Sequence, residues 1–206
     1  MFMAKEDRTA AKKAERSKVL LPGRELAFSQ ECARFAESLG VPATLVLTLL
    51  DEDDWSFLIK LHALIETALT GALVDHFGAP PALAEQFAIS AVGGAGGKIK
   101  LAYEAELINK PMKDFLDRFA ELRNQLVHSI DGIKFSLAGY VQSLSDEKRK
   151  QLVAALAFDG DEQHRRELLG MGPHVAFMHA AMAVMEKLAG GGVQMGSLEV
   201  WLSVPR

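Results

Sequence analysis

The residues best suited to chemistry in this 206-residue chain are an arginine and a histidine five positions apart. They bound the hexapeptide RNQLVH, which begins at Arg123 and ends at His128. A guanidinium forms strong hydrogen bonds to phosphate oxygens, and an imidazole exchanges a proton near neutral pH. Asn124 adds a polar side chain between them. The functional interpretation of the chain depends on these three residues.

Helical geometry separates the two groups. On an ideal helix Arg123 and His128 are about 140° apart, whereas Asn124 and His128 are about 40° apart. The arginine and the histidine converge only if the helix loosens near His128, or if two copies meet across a symmetric dimer interface. By spacing alone, the sequence favours an ordinary amphipathic helix. Its arginine would lay its aliphatic part on the apolar stripe and keep its charge in water, and its terminal histidine would hydrogen-bond backbone carbonyls.

The helix that carries the hexapeptide is predicted over residues 111–131. Asn109 is a candidate cap, Pro111 suits the first turn, and Gly132 can end the helix. Apolar residues recur at a spacing of three and four, which places one stripe on a helix: Met112, Phe115, Phe119, Leu122, Leu126 and Ile130.

Two lysines follow a glycine run (residues 93–97, GGAGG) and are candidates for binding a substrate phosphate: Lys98 and Lys100. The run is not a phosphate-binding loop, because Val92 stands where the first glycine is required and Ile99 where serine or threonine is required. A glycine-rich hinge that opens a helix is the better interpretation, although its free N–H groups and Lys98 can attract a phosphate. Exposed lysines beside a bundle are more often simply solvated.

Glu66 lies one turn after His62 on a helix predicted over residues 55–77. Two such residues are too few to define a metal site, so the preferred interpretation is a polar strip that faces a site or water. Glu66 is a further candidate site residue, which would orient His128 or Arg123. The alternative is that it faces water.

The whole pattern predicts an all-α helical bundle, since alternating strand patterns are nearly absent. One domain is predicted over residues 24–206, after a basic and mobile arm over residues 1–23. A role of this arm in binding RNA or a partner is the alternative. Further helices are predicted over residues 24–39, 42–50, 82–90, 145–158 and 162–166 and from Pro173 to Gly190, with a short extended tail from residue 197.

Composition limits the class of protein. The net charge of −4 argues against a broad surface that coats nucleic acid, but it permits a local basic site. Cys32 is the only cysteine, which excludes an intrachain disulfide and fits a reducing cytoplasm. Lys60, His62 and Glu66 interrupt the longest apolar stretch, so no membrane span is predicted.

The hexapeptide belongs to a wider pattern. An Arg-Asn-x-x-x-His sequence near the end of a helix resembles the signature of the HEPN superfamily of all-α domains. Residues 98–103 (KIKLAY) and 107–109 (LIN), followed by the helix with Arg123 and His128, are similar to its mannitol repressor branch. The similarity covers about residues 52–131, and the helix with Glu66 lies where that branch has its first long helix. The resemblance implies a HEPN-like up-and-down core with extra N- and C-terminal helices.

Active HEPN proteins resemble this chain in carrying a polar residue after the arginine, here Asn124. The resemblance then implies a homodimer that cleaves RNA without a metal or other cofactor, as a toxin or defence effector. Arg123 and His128 would converge in the dimer, where His128 would take the 2′-hydroxyl proton or protonate the leaving oxygen. Arg123 would stabilise the phosphate charge. The products would be a 2′,3′-cyclic phosphate and a 5′-hydroxyl.

Mannitol repressor proteins imply a different function for the same fold. A member of that branch would be a non-catalytic transcriptional regulator that acts through protein–protein contacts, with a regulatory protein or an antitoxin as partner. The acidity of the chain agrees better with this alternative, and the Arg-Asn-x-x-x-His form agrees better with the nuclease. The nuclease, with RNA as partner and a cytoplasmic location, is the leading expectation. No membrane partner is expected.

Overall fold

The computed structural model describes residues 33, 36–37, 42–128, 135–158 and 172–190. These residues form helices joined by turns and include no strand, so the predicted all-α helical bundle is confirmed for this part of the chain. Its helices are Ala43–Leu49 (α1), Asp54–His76 (α2), Pro81–Ile89 (α3), Lys98–Glu104 (α4), Lys110–His128 (α5), Leu137–Ser143 (α6), Asp146–Leu156 (α7) and Pro173–Leu188 (α8).

The central element of the bundle is α2, which packs against α1, α3, α4, α5 and α8. It begins where the sequence predicts, because Asp53 accepts hydrogen bonds from the Trp55 and Ser56 amides at 3.1 and 3.0 Å. Its buried residues span about half of its circumference, while Lys60, Ala63 and Thr67 lie on an exposed strip of the other half.

By length and composition alone, the segment Asp54–Phe77 could also cross a membrane. Half of it is buried inside the chain, and a core helix of a bundle passes the same test. Its position among five neighbouring helices favours that second explanation.

The helix with the hexapeptide, α5, has one buried stripe and one polar face. Asn109 caps it as predicted, since its Oδ1 accepts a hydrogen bond from the Met112 amide at 3.0 Å. The predicted stripe is buried from Met112 to Leu126, while Ile130 lies outside the described residues. Phe115 and Phe119 stack at 5.7 Å and both meet Phe177 of α8, so α5 is fixed firmly in the core.

Three helix starts are joined at Asp54. Its Oδ2 accepts a hydrogen bond from the Leu137 amide at the start of α6. Its Oδ1 lies 3.1 Å from Nε2 of His174 in the first turn of α8, close enough for a charge interaction but without a hydrogen bond. The His174 ring also packs on Phe57 at 4.5 Å. One carboxylate therefore aligns α2, α6 and α8.

Several predicted segments lie outside the described residues. These are the arm over residues 1–23, the helix over residues 162–166, the tail from residue 197 and most of the helix over residues 24–39. Of that last helix, Ala33, Ala36 and Glu37 are described as helical, and Ala36 is buried in the core.

Candidate functional site

Arg123 is half-buried on α5, in its last turns. Its Nη1 donates a hydrogen bond to Oδ1 of Asn124 at 3.1 Å, and its Nε is buried without a hydrogen-bond partner. No carboxylate of the described residues forms an ion pair with it. A guanidinium held by a neutral amide and lacking a carboxylate has its charge available to an anion.

His128 is exposed at the last residue of α5. The helix stays regular through this residue, so Arg123 and His128 remain about 140° apart around its axis. Asn124 and Val127 lie between them on an exposed face. Of the two ways in which the arginine and the histidine can converge, loosening of the helix before His128 is therefore not observed, and a second subunit remains.

Lys98 and Glu66, two of the predicted site residues, bind each other. Lys98 is 0% exposed, and its Nζ donates to Oε1 of Glu66 at 2.8 Å and to the Ala88 carbonyl at 3.1 Å. The expectation that Lys98 is solvated is wrong, because the turn before α4 directs its side chain inward against α2. The Glu66 side chain is 36% exposed, so one side of the pair reaches solvent.

Lys100 points away from this pair. It is exposed, and its Nζ lies 3.6 Å from Oε1 of Glu104 one turn later. An exposed pair of this kind contributes little to stability. Lys98 and Lys100 are thus two residues apart in sequence and lie in different environments.

Hydrogen bonds between its own backbone groups hold the turn that the glycine run forms before α4. The Lys98 amide donates to the Ala91 carbonyl at 2.9 Å and the Ile99 amide donates to the Val92 carbonyl at 3.0 Å. These N–H groups are therefore not free to bind a phosphate, contrary to the expectation from sequence. The run forms a turn before α4, and this turn places the Lys98 side chain against α2.

His62 lies on the polar strip that the sequence predicts with Glu66, but it was not among the predicted site residues. It is 6% exposed, and its ring centroid lies 6.0 Å from that of Phe119, one turn before Arg123 on α5. Burial lowers its pKa below 6.5, the charges of Arg123 and Lys98 lower it further, and Glu66 opposes them. The available signal was the His62–Glu66 spacing of one turn.

These residues form one group, which we call the polar cluster: His62, Glu66, Lys98 and Arg123, contributed by α2, α4 and α5. It contains two cations, one carboxylate and one imidazole whose neutral form is favoured. The cluster is thus a local positive site on an acidic chain, which suits an anionic ligand. No group of three metal-binding side chains is found among the described residues.

A cavity of about 300 Å³ lies on a different side of α5, between α5, α6, α7 and α8. Its floor includes Phe115, Phe119 and Phe177. Burial raises the pKa of Tyr140, which lies in its wall. None of the four residues of the polar cluster lines this cavity, and neither does His128. Its polar lining consists of Arg118, Glu121, Gln125, Tyr140, Lys148 and Gln151.

Comparison of the chain with protein-family models, with curated proteins and with solved structures gave no match.

Proposed function

We propose that this protein is a HEPN-type, metal-independent endoribonuclease that acts as a homodimer, in the role of a toxin or defence effector. The main support for the proposal is that Arg123 has few bonding partners. Its guanidinium binds only the amide of Asn124 among the described residues, and its Nε is buried without a partner. A half-buried guanidinium without a carboxylate partner can bind a phosphodiester more strongly than a fully solvated one.

Asn124 has a positioning role in this proposal. Its Oδ1 accepts from Nη1 of Arg123, which restricts the guanidinium without neutralising it. An aspartate at the same position would form an ion pair and compete with the phosphate for the arginine. Asn124 therefore orients the cation and leaves its charge to the substrate.

The exposed face at the end of α5 supports the dimer in this proposal. Arg123 lies on one edge of this face and His128 on the other, with Asn124 and Val127 between them. Val127 is 45% exposed, which gives the face an apolar centre. A two-fold axis that runs parallel to α5 through that centre would place the Arg123 edge of one subunit against the His128 edge of the other.

A second candidate function is a non-catalytic regulator that acts through protein–protein contacts. The exposure of α3 favours this function, since none of the residues of α3 is buried. Leu83 and Ile89 of this helix are exposed, as is Phe77 at the end of α2. Phe77 also stacks on Phe87 of α3 at 5.9 Å, and a contiguous apolar patch of this kind is typical of an interaction surface.

The experiment that tests the nuclease is incubation of the purified protein with RNA in the presence of EDTA. Wild-type protein is expected to cleave the RNA and to leave 2′,3′-cyclic phosphate ends. Arg123→Ala and His128→Ala should each lower the rate roughly a hundredfold or more. Arg118→Ala is the matched control, because Arg118 lies on another side of α5 and hydrogen-bonds Gln151.

Two results decide between the candidates. Loss of cleavage in both variants, with folding and self-association unchanged, supports the nuclease. Wild-type protein that cleaves no RNA at any pH contradicts the nuclease and favours the regulator.

A further inference from the structure

Cleavage of RNA by its own 2′-hydroxyl moves two protons. One leaves the 2′-oxygen as it attacks phosphorus, and another reaches the 5′-oxygen as its bond to phosphorus breaks. Arg123 can do neither, because a guanidinium does not lose its proton in proteins. His128 can supply one transfer, so efficient catalysis needs a second group.

His62 lies on the Arg123 side of α5, whereas His128 lies at the other edge of the exposed face. The His62 ring packs near Phe119, one turn before Arg123. No hydrogen bond to either of its ring nitrogens is found among the described residues. The ring is therefore fixed by packing while its nitrogens remain free to exchange a proton.

We infer that His62 is the general base that takes the 2′-hydroxyl proton, beside the Arg123 of the same subunit, while His128 of the second subunit acts as the general acid. This inference rests on the proposed nuclease activity and adds to it a residue on a different helix. It also fixes which groups belong to one subunit, namely His62 and Arg123, and which comes from the other.

One proton transfer accompanies the bond that forms at phosphorus, and another accompanies the bond that breaks. The neutral His62 imidazole accepts the proton of the 2′-hydroxyl, and the 2′-oxygen forms a bond to phosphorus. The bond from phosphorus to the 5′-oxygen breaks, and that oxygen takes a proton from His128. The products are the 2′,3′-cyclic phosphate and a 5′-hydroxyl, and water restores the protonation of the two imidazoles.

The surroundings of each imidazole suit its assigned role. Burial and the neighbouring cations lower the pKa of His62, so it is neutral and able to accept a proton at pH 7. The charged groups that face it are Arg123 from α5, Lys98 from α4 and Glu66 from its own helix. His128 is exposed in the last turn of α5, where it can reach a substrate that is bound to the other subunit.

The experiment compares two substrates in the homodimeric protein with EDTA present. One is a ribonucleoside 3′-phosphodiester with an alkoxide leaving group, and the other carries 4-nitrophenolate, which leaves without needing a proton. His62→Gln should slow both substrates roughly a hundredfold or more. His128→Gln should slow the first by a similar factor and leave the second near the wild-type rate. His76→Gln is the control, since His76 is exposed at the far end of α2.

The outcomes separate this inference from the proposed function. If His62→Gln cleaves both substrates at the wild-type rate, His62 is not the base and the nuclease itself still stands. If His62→Gln is rescued by the nitrophenolate substrate as His128→Gln is, its assignment as base is wrong. If wild-type protein cleaves neither substrate, both proposals fail.

Because His62 is buried, loss of activity in His62→Gln has unfolding as a second cause, and a measurement on wild-type protein excludes it. NMR can follow the titration of the His62 ring with and without a 2′-deoxy dinucleotide, which binds but cannot react. A phosphate held between Arg123 and His62 should raise the pKa of His62, because the anion stabilises the imidazolium. A titration of His62 that the dinucleotide leaves unchanged contradicts the inference.

Discussion

At the scale of single residues, the chain differs from an ordinary amphipathic bundle mainly in where it buries charge. Lys98 is fully buried and satisfied by Glu66 and the Ala88 carbonyl, while Arg123 keeps an unpaired Nε. A buried cation with an ion-pair partner changes the free energy of folding little. A buried cation without a partner lowers stability unless a ligand supplies the missing hydrogen bonds. The contrast between these two cations supports Lys98 as a structural residue and Arg123 as a functional one.

Removing the carboxylate of the Lys98–Glu66 pair should cost more stability than removing the ammonium. Glu66→Ala leaves a buried charge, and we expect a loss of about 2 kcal/mol in the free energy of unfolding, below the full 3–5 kcal/mol because Glu66 is partly exposed. Lys98→Met replaces the charge by an apolar chain and should cost about 1 kcal/mol. Urea denaturation measures both.

The matched control for this pair is Lys100→Met, which removes an exposed lysine two residues away and should change stability by less than about 0.5 kcal/mol. A larger loss from Lys98→Met than from Glu66→Ala would show that the burial of the ammonium is not the dominant cost.

The stability of the protein should fall as the pH drops below 6.5, because burial lowers the pKa of both His62 and His174 from that value. Their neutral forms are favoured in the folded state, so the unfolded chain binds more protons in this range. The contribution is complete above pH 6.5 and is lost as the pH falls toward the lowered pKa values.

Urea denaturation at about pH 7.5 and about pH 5.5 measures this dependence. His62→Gln should reduce the difference in unfolding free energy between the two pH values, and the double variant with His174→Gln should reduce it again. An equal difference in wild type and double variant would mean that these histidines titrate alike in the folded and unfolded chain.

At the scale of helices and turns, local signals in the sequence predicted most of the fold. Asp53, Asn109 and Ser145 cap helices where their spacing indicates, since a cap depends only on residues two or three positions away. The apolar stripe of α5 was predictable for the same reason. The apolar composition of α2 agrees with its central position, where five other helices pack against it, but the identity of those partners does not follow from the composition.

The candidate site was only partly predictable. The positions of Arg123, Asn124 and His128 on one helix follow from their spacing. The partner of Glu66 lies 32 residues away, and the approach of His62 to the Arg123 side of α5 depends on how α2 packs against α5. Pairings of this kind arise from tertiary packing, which the spacing within one helix does not contain.

The glycine run before α4 gives a prediction at this scale. A Cβ at position 97 would lie 2.7 Å from the Val92 carbonyl oxygen and still closer to the Gly93 carbonyl, both of them backbone atoms. Gly97→Ala must therefore displace the turn, and we expect a loss of about 2 kcal/mol in unfolding free energy. Thermal or urea denaturation measures the loss.

Gly96→Ala is the control for the same turn, since its Cβ would have no atom within 4 Å. It should leave stability within about 0.5 kcal/mol of wild type. Equal effects of the two substitutions would contradict the role of close backbone approach at position 97.

At the scale of the whole molecule, the proposed site needs two subunits. In the proposed dimer, Arg123 and His62 of one site belong to one subunit and His128 belongs to the other, because a regular α5 keeps Arg123 and His128 on different edges of its exposed face. The chain has a net charge of −4, whereas the polar cluster is locally positive. In the proposed function, RNA would therefore bind at the site and its surroundings and not along a broad surface.

This arrangement makes the subunits complementary in a defined way. A dimer of one Arg123→Gln subunit and one His128→Gln subunit retains one complete site, formed by Arg123 and His62 of one chain and His128 of the other. A dimer of Arg123→Gln and His62→Gln subunits retains none, because both substitutions affect the same half of a site. The second mixture is therefore the control for the first.

The most direct test of the account is the RNase activity, in EDTA, of an equal mixture of Arg123→Gln and His128→Gln proteins after subunit exchange. Each variant alone should be inactive. Random exchange makes half of the dimers mixed, each with one of its two sites intact, so the mixture should recover about a quarter of wild-type activity. A mixture that stays as inactive as its components, although NMR or mass spectrometry shows mixed dimers, would contradict a site shared between subunits.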